Sequence, residues 1–416
     1  MEMGPPASRD ETTDVLGAAP SELPQVWVLQ PAVKHYRLPL WDQLSERAAG
    51  RYQLRVFGPL DLEHPDIESR PYLQEMPLRR RMVLGRQVAH WPAASAMIKR
   101  QQPEVVVLTA SVGFLGSWTL PRVARRAGAA VIGWSKVNPR SGHTTWAQRR
   151  LKRRFFRRFD LFLCYGHESR DELAALGYPA SRIRIAQNTI DTHRIFAERE
   201  LIAARGEELR RQAGIGGKKI LLCVGRMIPQ KRHADLITAW LDLRQVDPEL
   251  VLVFVGTGEL HEGLKIAAEE TDPERIIFTG AVPEGDDYAW IATSDVVVIP
   301  GAIGLALNQA MAFGKPTIIA DEPGADAEML RHGETGWRYP RGDIEALTRT
   351  VTDVLLHPDE ARAIAAAAQR TIRQEATIER MVDVIDRTLV EGLEIARQRR
   401  SPASDRATVS RHRLSN

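Results

Sequence analysis

The chain of 416 residues has little cysteine, no long apolar run and no obvious metal motif, and each shortage excludes something. Its two cysteines, Cys164 and Cys223, each sit inside an apolar run. That rules against a disulfide scaffold or a thiolate metal knuckle and fits core thiols in a reducing cytoplasm. No apolar run approaches the roughly 20 residues that span a bilayer. The opening MEMGPPASRDETTDVLGAAP is acidic and lacks a basic start followed by an apolar stretch, so it does not read as a signal peptide. No Asp-x-Asp stands at a strand end to argue for a metal, and Asp286-Asp287 falls at a helix start, where capping accounts for it. No paired carboxylates at strand ends suggest a glycoside hydrolase. No zinc knuckle, RNP pattern or set of stacking aromatics points to nucleic acid.

What is present is rhythm. Short β-branched runs alternate with amphipathic stretches: VWVLQ (26–30), QLRVF (53–57), VVVL (105–108), AVIGW (130–134), LFLCY (161–165) and RIRIA (182–186) in the first half. The second half has ILLCVG (220–225), LVLVFVG (250–256), RIIFTG (275–280), DVVVIP (295–300) and PTIIA (316–320). Helix-length segments, among them 79–101 and 144–158, lie between. Strands apolar on both faces and alternating with helices predict parallel sheets covered on both sides. The fold class expected is α/β, with two Rossmann-like doubly wound domains facing across a cleft. The expected boundaries are a disordered tail over 1–22, a first domain over 23–195, a second domain over 196–375, a helix over 376–400 crossing back to the first domain, and a disordered tail over 401–416. Charge divides the same way: residues 1–200 carry 30 Lys/Arg against 20 Asp/Glu, and the remainder 27 against 33. A basic first half suits an acidic surface or ligand.

Open parallel sheets bind ligands in the loops at the carboxyl ends of their strands. In the second half the first such loop is Gly225-Arg226-Met227-Ile228-Pro229-Gln230-Lys231, which sets two cations ahead of a helix starting near Arg232. A planar guanidinium and an ammonium there would clamp two phosphates. The next strand ends in Gly256-Thr257-Gly258-Glu259, whose glycines permit close backbone approach. It lacks the third glycine of a dinucleotide fingerprint, which excludes the dehydrogenase pattern. After DVVVIP comes Gly301-Ala302-Ile303-Gly304-Leu305, where a helix begins and offers free N–H groups to an anion.

In order and spacing, GRMIPQKRHADLITAW, VFVGTGEL, IIFTGAVPEGDDYAWIATSDVVVIPG, GLALNQAMAFGKPTII and GADAEMLRHGETGWRYPRGD resemble the retaining, metal-independent glycosyltransferases of family 4, which have the GT-B fold. The likeness covers roughly residues 25–395, more loosely in the first half. The resemblance implies hexosyl transfer from a UDP- or GDP-linked sugar to an acceptor hydroxyl or other nucleophile, with no cofactor and no metal. It implies a donor site of Gly225, Arg226, Lys231, Gly256, Val282, Gly301, Ile303, Gly304, Leu305 and Gln309, with Arg226 and Lys231 on the diphosphate. The segment 280–282 would line the base pocket. Two departures stand out. Family members carry a Glu, seven residues and a second Glu where this chain has Gly301 and Gln309, which implies an altered sugar subsite. The family's His after the fourth strand is absent, and Lys136 or His143 stands in its place. His35, Tyr36 and Arg37 at the cleft mouth are acceptor candidates, although a helix-start role suits them equally. Glu328 reads as structural.

The run 149–159 is basic, with Leu151, Phe155 and Phe159 at helical spacing. Core packing of that stripe is one reading, and a contact with membrane lipid phosphate the other. Two functions of different class follow: a transferase at the inner face of the membrane with a small or lipid-linked acceptor, or a GT-B relative that binds nucleotide sugars without transfer or epimerises them.

Overall fold

In a computed structural model the described residues are 23–60, 67, 69–83, 86–137, 145–322 and 327–401. The expected tails, apart from Ser401, and His143 lie outside them.

The first sheet has seven strands: β1 (Gln25–Leu29), β2 (Gln53–Gly58), β3 (Leu73–Glu75), β6 (Val105–Thr109), β7 (Ala130–Ser135), β8 (Leu161–Cys164) and β9 (Ile183–Ile185). Their order is β3-β2-β1-β6-β7-β8-β9, and every pairing is parallel. Between β3 and β6 stands an antiparallel hairpin of β4 (Arg79–Val83) and β5 (Arg86–His90). The single helix expected over 79–101 is therefore wrong for its first half. Only α2 (Ala94–Gln101) is helical there, because Pro92 pushes Trp91 out of the α region and MVLGRQVAH prefers extended backbone.

One face of this sheet is covered by α1 (Leu38–Ala48) and by the last helix, and the other by α2, α3 (Leu115–Arg126), α4 (Trp146–Phe156) and α5 (His167–Ala175). The second sheet orders its strands β12-β11-β10-β13-β14-β15, all parallel. These are β10 (Lys219–Val224), β11 (Leu250–Val255), β12 (Ile276–Gly280), β13 (Val296–Ile299), β14 (Thr317–Ala320) and β15 (Trp337–Tyr339). Helices α6 (Thr192–Ala197), α7 (Arg199–Gln212), α10 (Asp286–Thr293), α11 (Ala306–Phe313) and α13 (Pro358–Glu375) cover one face. Helices α8 (His233–Val246), α9 (His261–Thr271) and α12 (Ile344–Leu356) cover the other. The two-sheet α/β architecture is the GT-B fold.

The chain passes between the halves twice. After β9 it runs into α6, and after α13 it returns through Ala376 and Thr377 into α14 (Ile378–Arg400), which packs Met381, Val382, Ile385 and Leu389 onto the first sheet. The two crossings touch: Thr189 Oγ1 donates to the Ala376 carbonyl, and Ile378 N donates to Thr192 Oγ1 at 3.4 Å. Ionic contacts hold α14 along its length, with Asp386 taking Tyr52 Oη at 2.8 Å and Arg51 Nη1 at 2.9 Å. Arg184 is bidentate to Glu391 at 2.8 and 3.0 Å.

Candidate active site

The carboxyl-end loops of the second sheet are joined backbone to backbone. Gly225 N donates to Val255 O at 2.9 Å, Met227 N to Thr257 O at 2.9 Å, Gly256 N to Gly280 O at 2.9 Å, and Ala302 N to Gln230 O at 2.8 Å. Such close approach requires glycine. A Cβ on Gly256, which has φ of +125°, would lie 2.4 Å from Gly225 O. On Gly258 it would lie 2.4 Å from Met227 O, and on Gly301 2.3 Å from Gln230 O. The glycines of the three loops let them fit together; any side chain would force backbone apart.

This seam aims the cations. A short 3₁₀ turn over Pro229–Lys231 delivers Lys231, and Arg232 then takes φ of +54° and starts α8 at His233. Arg232 is held there by Asp235, at 2.6 and 3.0 Å. The Lys231 ammonium stands 3.4 Å from where a Cβ on Gly304 would be. It therefore faces the start of α11, which begins at Ala306 with Leu305 as N-cap, two residues after the Gly304 start expected. Among the described residues neither Gly304 N nor Leu305 N donates a backbone hydrogen bond. Arg226 is exposed on the same loop, with no ion pair among the described residues. A cation beside a helix start whose first N–H groups make no backbone bond among the described residues has the make-up of an anion site.

The remaining expected donor residues surround it. Ile303 and Val282 are half-buried against the core that holds α11. Gln309 donates its Nε2 to Asp287 Oδ2 at 3.1 Å, a pairing the sequence did not suggest. Burial raises the Asp287 carboxyl above its ordinary value, and hydrogen bonds from Gln309 and nearby backbone oppose that. Asp286 is bidentate to Arg205 at 2.9 Å for both bonds. The acidic pair thus anchors the first turn of α10; the N-cap position is Gly285, so neither Asp is the cap expected from the sequence. Beside the segment 280–282, Phe254 stacks on Phe278 at 4.9 Å, with His261 edge-on to Phe278 at 5.6 Å. Among the described residues no group of three His, Cys, Asp or Glu side chains is placed to hold a metal.

Across the cleft, Lys136 follows β7 at its carboxyl end and is half-buried. His35, Tyr36 and Arg37 form a 3₁₀ turn leading into α1, with Tyr36 exposed. Arg37 donates to Asn188 Oδ1, and Asn308 on α11 donates to Asn188 O at 3.0 Å. Arg37 therefore serves the seam between the halves. Asn188 and Asn308 carry no motif that sequence reasoning could have used. Glu328 accepts from His167 N at 2.7 Å and from Glu168 N, so its carboxylate caps α5 of the other half. In the basic run, Phe155 and Phe159 are buried in the core, and Leu151 is 48% exposed. Both cysteines are buried and free, with thiols pushed up to about 12 by desolvation.

Residues 206–371 match the family described as Glycosyl transferases group 1, and residues 40–194 match Glycosyltransferase Family 4. The GDP-mannose-dependent alpha-(1-6)-phosphatidylinositol monomannoside mannosyltransferase of Mycolicibacterium smegmatis is 28% identical over 263 residues, which cover 59% of this chain and 66% of that one. The lipopolysaccharide core biosynthesis mannosyltransferase LpcC of Rhizobium leguminosarum is 32% identical over 41% of this chain and 51% of its own. Thus the chain spans just under two thirds, or less, of these relatives' lengths. Among solved structures, Anabaena HepE in complex with UDP aligns with a TM-score of 0.69 at 17% identity, covering 89% of this chain and all of that one. The two family matches between them take in the second sheet, all of the first but β1, and every loop of the anion site, and the chain belongs to the group 1, family 4 glycosyltransferases.

Proposed function

We propose that the chain transfers a sugar from a nucleoside diphosphate donor to an acceptor hydroxyl, with retention at the anomeric carbon and without a metal. One observation carries the reading: Lys231 is aimed at Gly304 and the start of α11, with Arg226 exposed on the same loop. When the anomeric C–O bond breaks, its electron pair goes to the diphosphate. Arg226, Lys231 and the N–H groups of Gly304 and Leu305 stabilise that charge without rearranging. The acceptor oxygen bonds to the anomeric carbon from the same face, and its proton goes to the departing phosphate oxygen. Lys136 stands on the acceptor side, at the end of β7.

The base is guanine or uracil: sequence relatives are named for GDP-mannose, and a structural neighbour was solved with UDP. The acceptor class is a small molecule or a lipid-linked sugar, as the phosphatidylinositol mannoside relative suggests. Thermal shift against GDP-mannose, UDP-glucose and UDP-N-acetylglucosamine identifies the donor, and a radiolabelled form of that donor then reports hydrolysis or transfer. Arg226→Ala and Lys231→Ala each lower turnover at least about a hundredfold with the fold intact, since one such donor supplies roughly 3 kcal/mol. Near-native turnover in either variant overturns the assignment.

A second reading, a protein that binds nucleotide sugars without transferring or that epimerises them, has one observation in its favour. Gly301 cannot bear a side chain without moving the Lys231 loop, so no carboxylate approaches the sugar from there. Tight donor binding with neither hydrolysis nor transfer selects it.

A further inference from the structure

The outer face of α3 and α4 is strongly cationic. A groove of about 670 Å³ between α4 and the end of α5 is lined by Trp146, Arg149, Arg150, Arg153, Arg154 and Arg157, with no acidic residue. A second, of about 230 Å³, adds Arg122, Arg125 and Arg158 and shares Arg154 and Arg157. Some of this charge is spent within the protein: Arg125 pairs with Asp160 at 2.7 Å, Arg149 reaches Ala175 O at 3.3 Å, and Arg158 lies over the Trp118 ring at 5.0 Å. Among the described residues no carboxylate meets Arg150, Arg153, Arg154 or Arg157. Burial, with the charges of Arg122 and Arg154, lowers the Arg158 pKa, so the cluster is self-repelling. Like charges packed this way lose free energy in the empty protein and regain it against an anion.

The anion's setting is given by the apolar residues beside it. Trp146 is 76% exposed at the first position of α4, and Leu151 is 48% exposed one turn on. Val112 and Leu115, at the start of α3, are 41% and 51% exposed. Val112 and Leu115 follow β6 at its carboxyl end, and Trp146 lines the arginine groove beside the end of α5. The aromatic stripe of Phe155 and Phe159 takes no part, being buried. Basic side chains beside an exposed tryptophan and aliphatic side chains match an interface of phosphate headgroups over acyl chain. A nucleic acid would instead need aromatic platforms, and the described face offers one exposed tryptophan.

We propose that this face docks on an anionic phospholipid bilayer, with headgroup phosphates in the arginine grooves and Trp146, Leu115 and Val112 at the acyl boundary. The docking does not rest on the transferase reading, because vesicle binding is measured without turnover.

The test is sedimentation of the full chain with vesicles of phosphatidylcholine containing 30% phosphatidylglycerol, against pure phosphatidylcholine. Binding is expected only to the anionic vesicles, and inorganic phosphate at equal phosphate concentration should not displace it. Arg150→Glu/Arg154→Glu/Arg157→Glu should weaken binding about a hundredfold, at roughly fivefold or more per basic residue near a charged surface. Trp146→Ser should weaken it less and leave the salt dependence unchanged. Both variants should keep the native thermal midpoint. Three results overturn the proposal: no sedimentation with anionic vesicles at 50 mM salt, binding that survives the triple reversal, or displacement by free phosphate. Binding of the native chain to single-stranded RNA with none to vesicles would assign the face to nucleic acid and overturn it equally.

Discussion

The two halves share one architecture and use it in opposite ways. In the second half the strand-end loops are sewn together by main-chain hydrogen bonds, and glycines at 256, 258 and 301 permit contacts of backbone on backbone. Little there depends on side-chain choice except Arg226 and Lys231. In the first half the strand ends carry side chains: Arg37 after β1, Lys136 after β7, and exposed Val112 and Leu115 after β6. On the function proposed, the rigid backbone would hold the diphosphate that every such donor shares, and the side chains of the first half would fit the acceptor. The comparison explains why the second half resembles its family more strongly than the first.

The largest expected effect tests the rigid half. Gly256→Ala places a Cβ 2.4 Å from Gly225 O at a φ of +125°, so it should cost about 3 kcal/mol of stability and abolish donor binding. Urea unfolding together with donor thermal shift checks it, and a variant as stable as the native chain would show that the loops are not tightly joined. Next comes pH. His233 is 1% exposed, and burial with the Lys231 charge lowers its pKa to about 4, against an unfolded value near 6.5. The unfolded chain binds the extra proton between those values, so this contribution is whole above pH 6.5 and lost as pH falls toward 4. About 2 kcal/mol should disappear by pH 4.5. His233→Gln should flatten that part of the curve of unfolding free energy against pH, and an unchanged slope would remove His233 from the account.

The smallest effect tests the contact between halves. Glu328→Gln keeps the shape of the cap on α5 and removes its charge, for about 1 kcal/mol. Its signature is a lower urea midpoint with donor affinity unaltered. If donor affinity falls instead, Glu328 belongs to the site and the division between rigid and adjustable halves is drawn in the wrong place.

Much of this was legible in the chain itself. Continuous apolar runs such as LVLVFVG can only be strands covered on both faces, and eleven runs read in this way became sheet strands within a residue or two. The short strands β3 and β15 escaped because three residues carry no periodicity. The hairpin of β4 and β5 was mistaken for helix because Arg79-Arg80-Arg81 gives no alternation on one side. At the site, glycine after a strand pointed to the loops, but the reason for each glycine lay in a neighbour remote in sequence. Gly301 is the clearest case: as a sequence letter it is a missing carboxylate, and in space it is room for Gln230 O. Likewise Gln309 read as a lone amide until Asp287 was found beside it.

The double passage of the chain between its halves has a mechanical consequence. A single strand joining two bodies acts as a swivel, free to bend and to twist. Two strands side by side, tied at Thr189 to Ala376 and at Thr192 to Ile378, act as a hinge plate. Bending about the line of the pair costs little, while twisting across it must stretch one strand or break its bonds. The cleft is thereby left with one easy motion, opening and closing, along which Lys231 and Lys136 approach or part without sliding past each other.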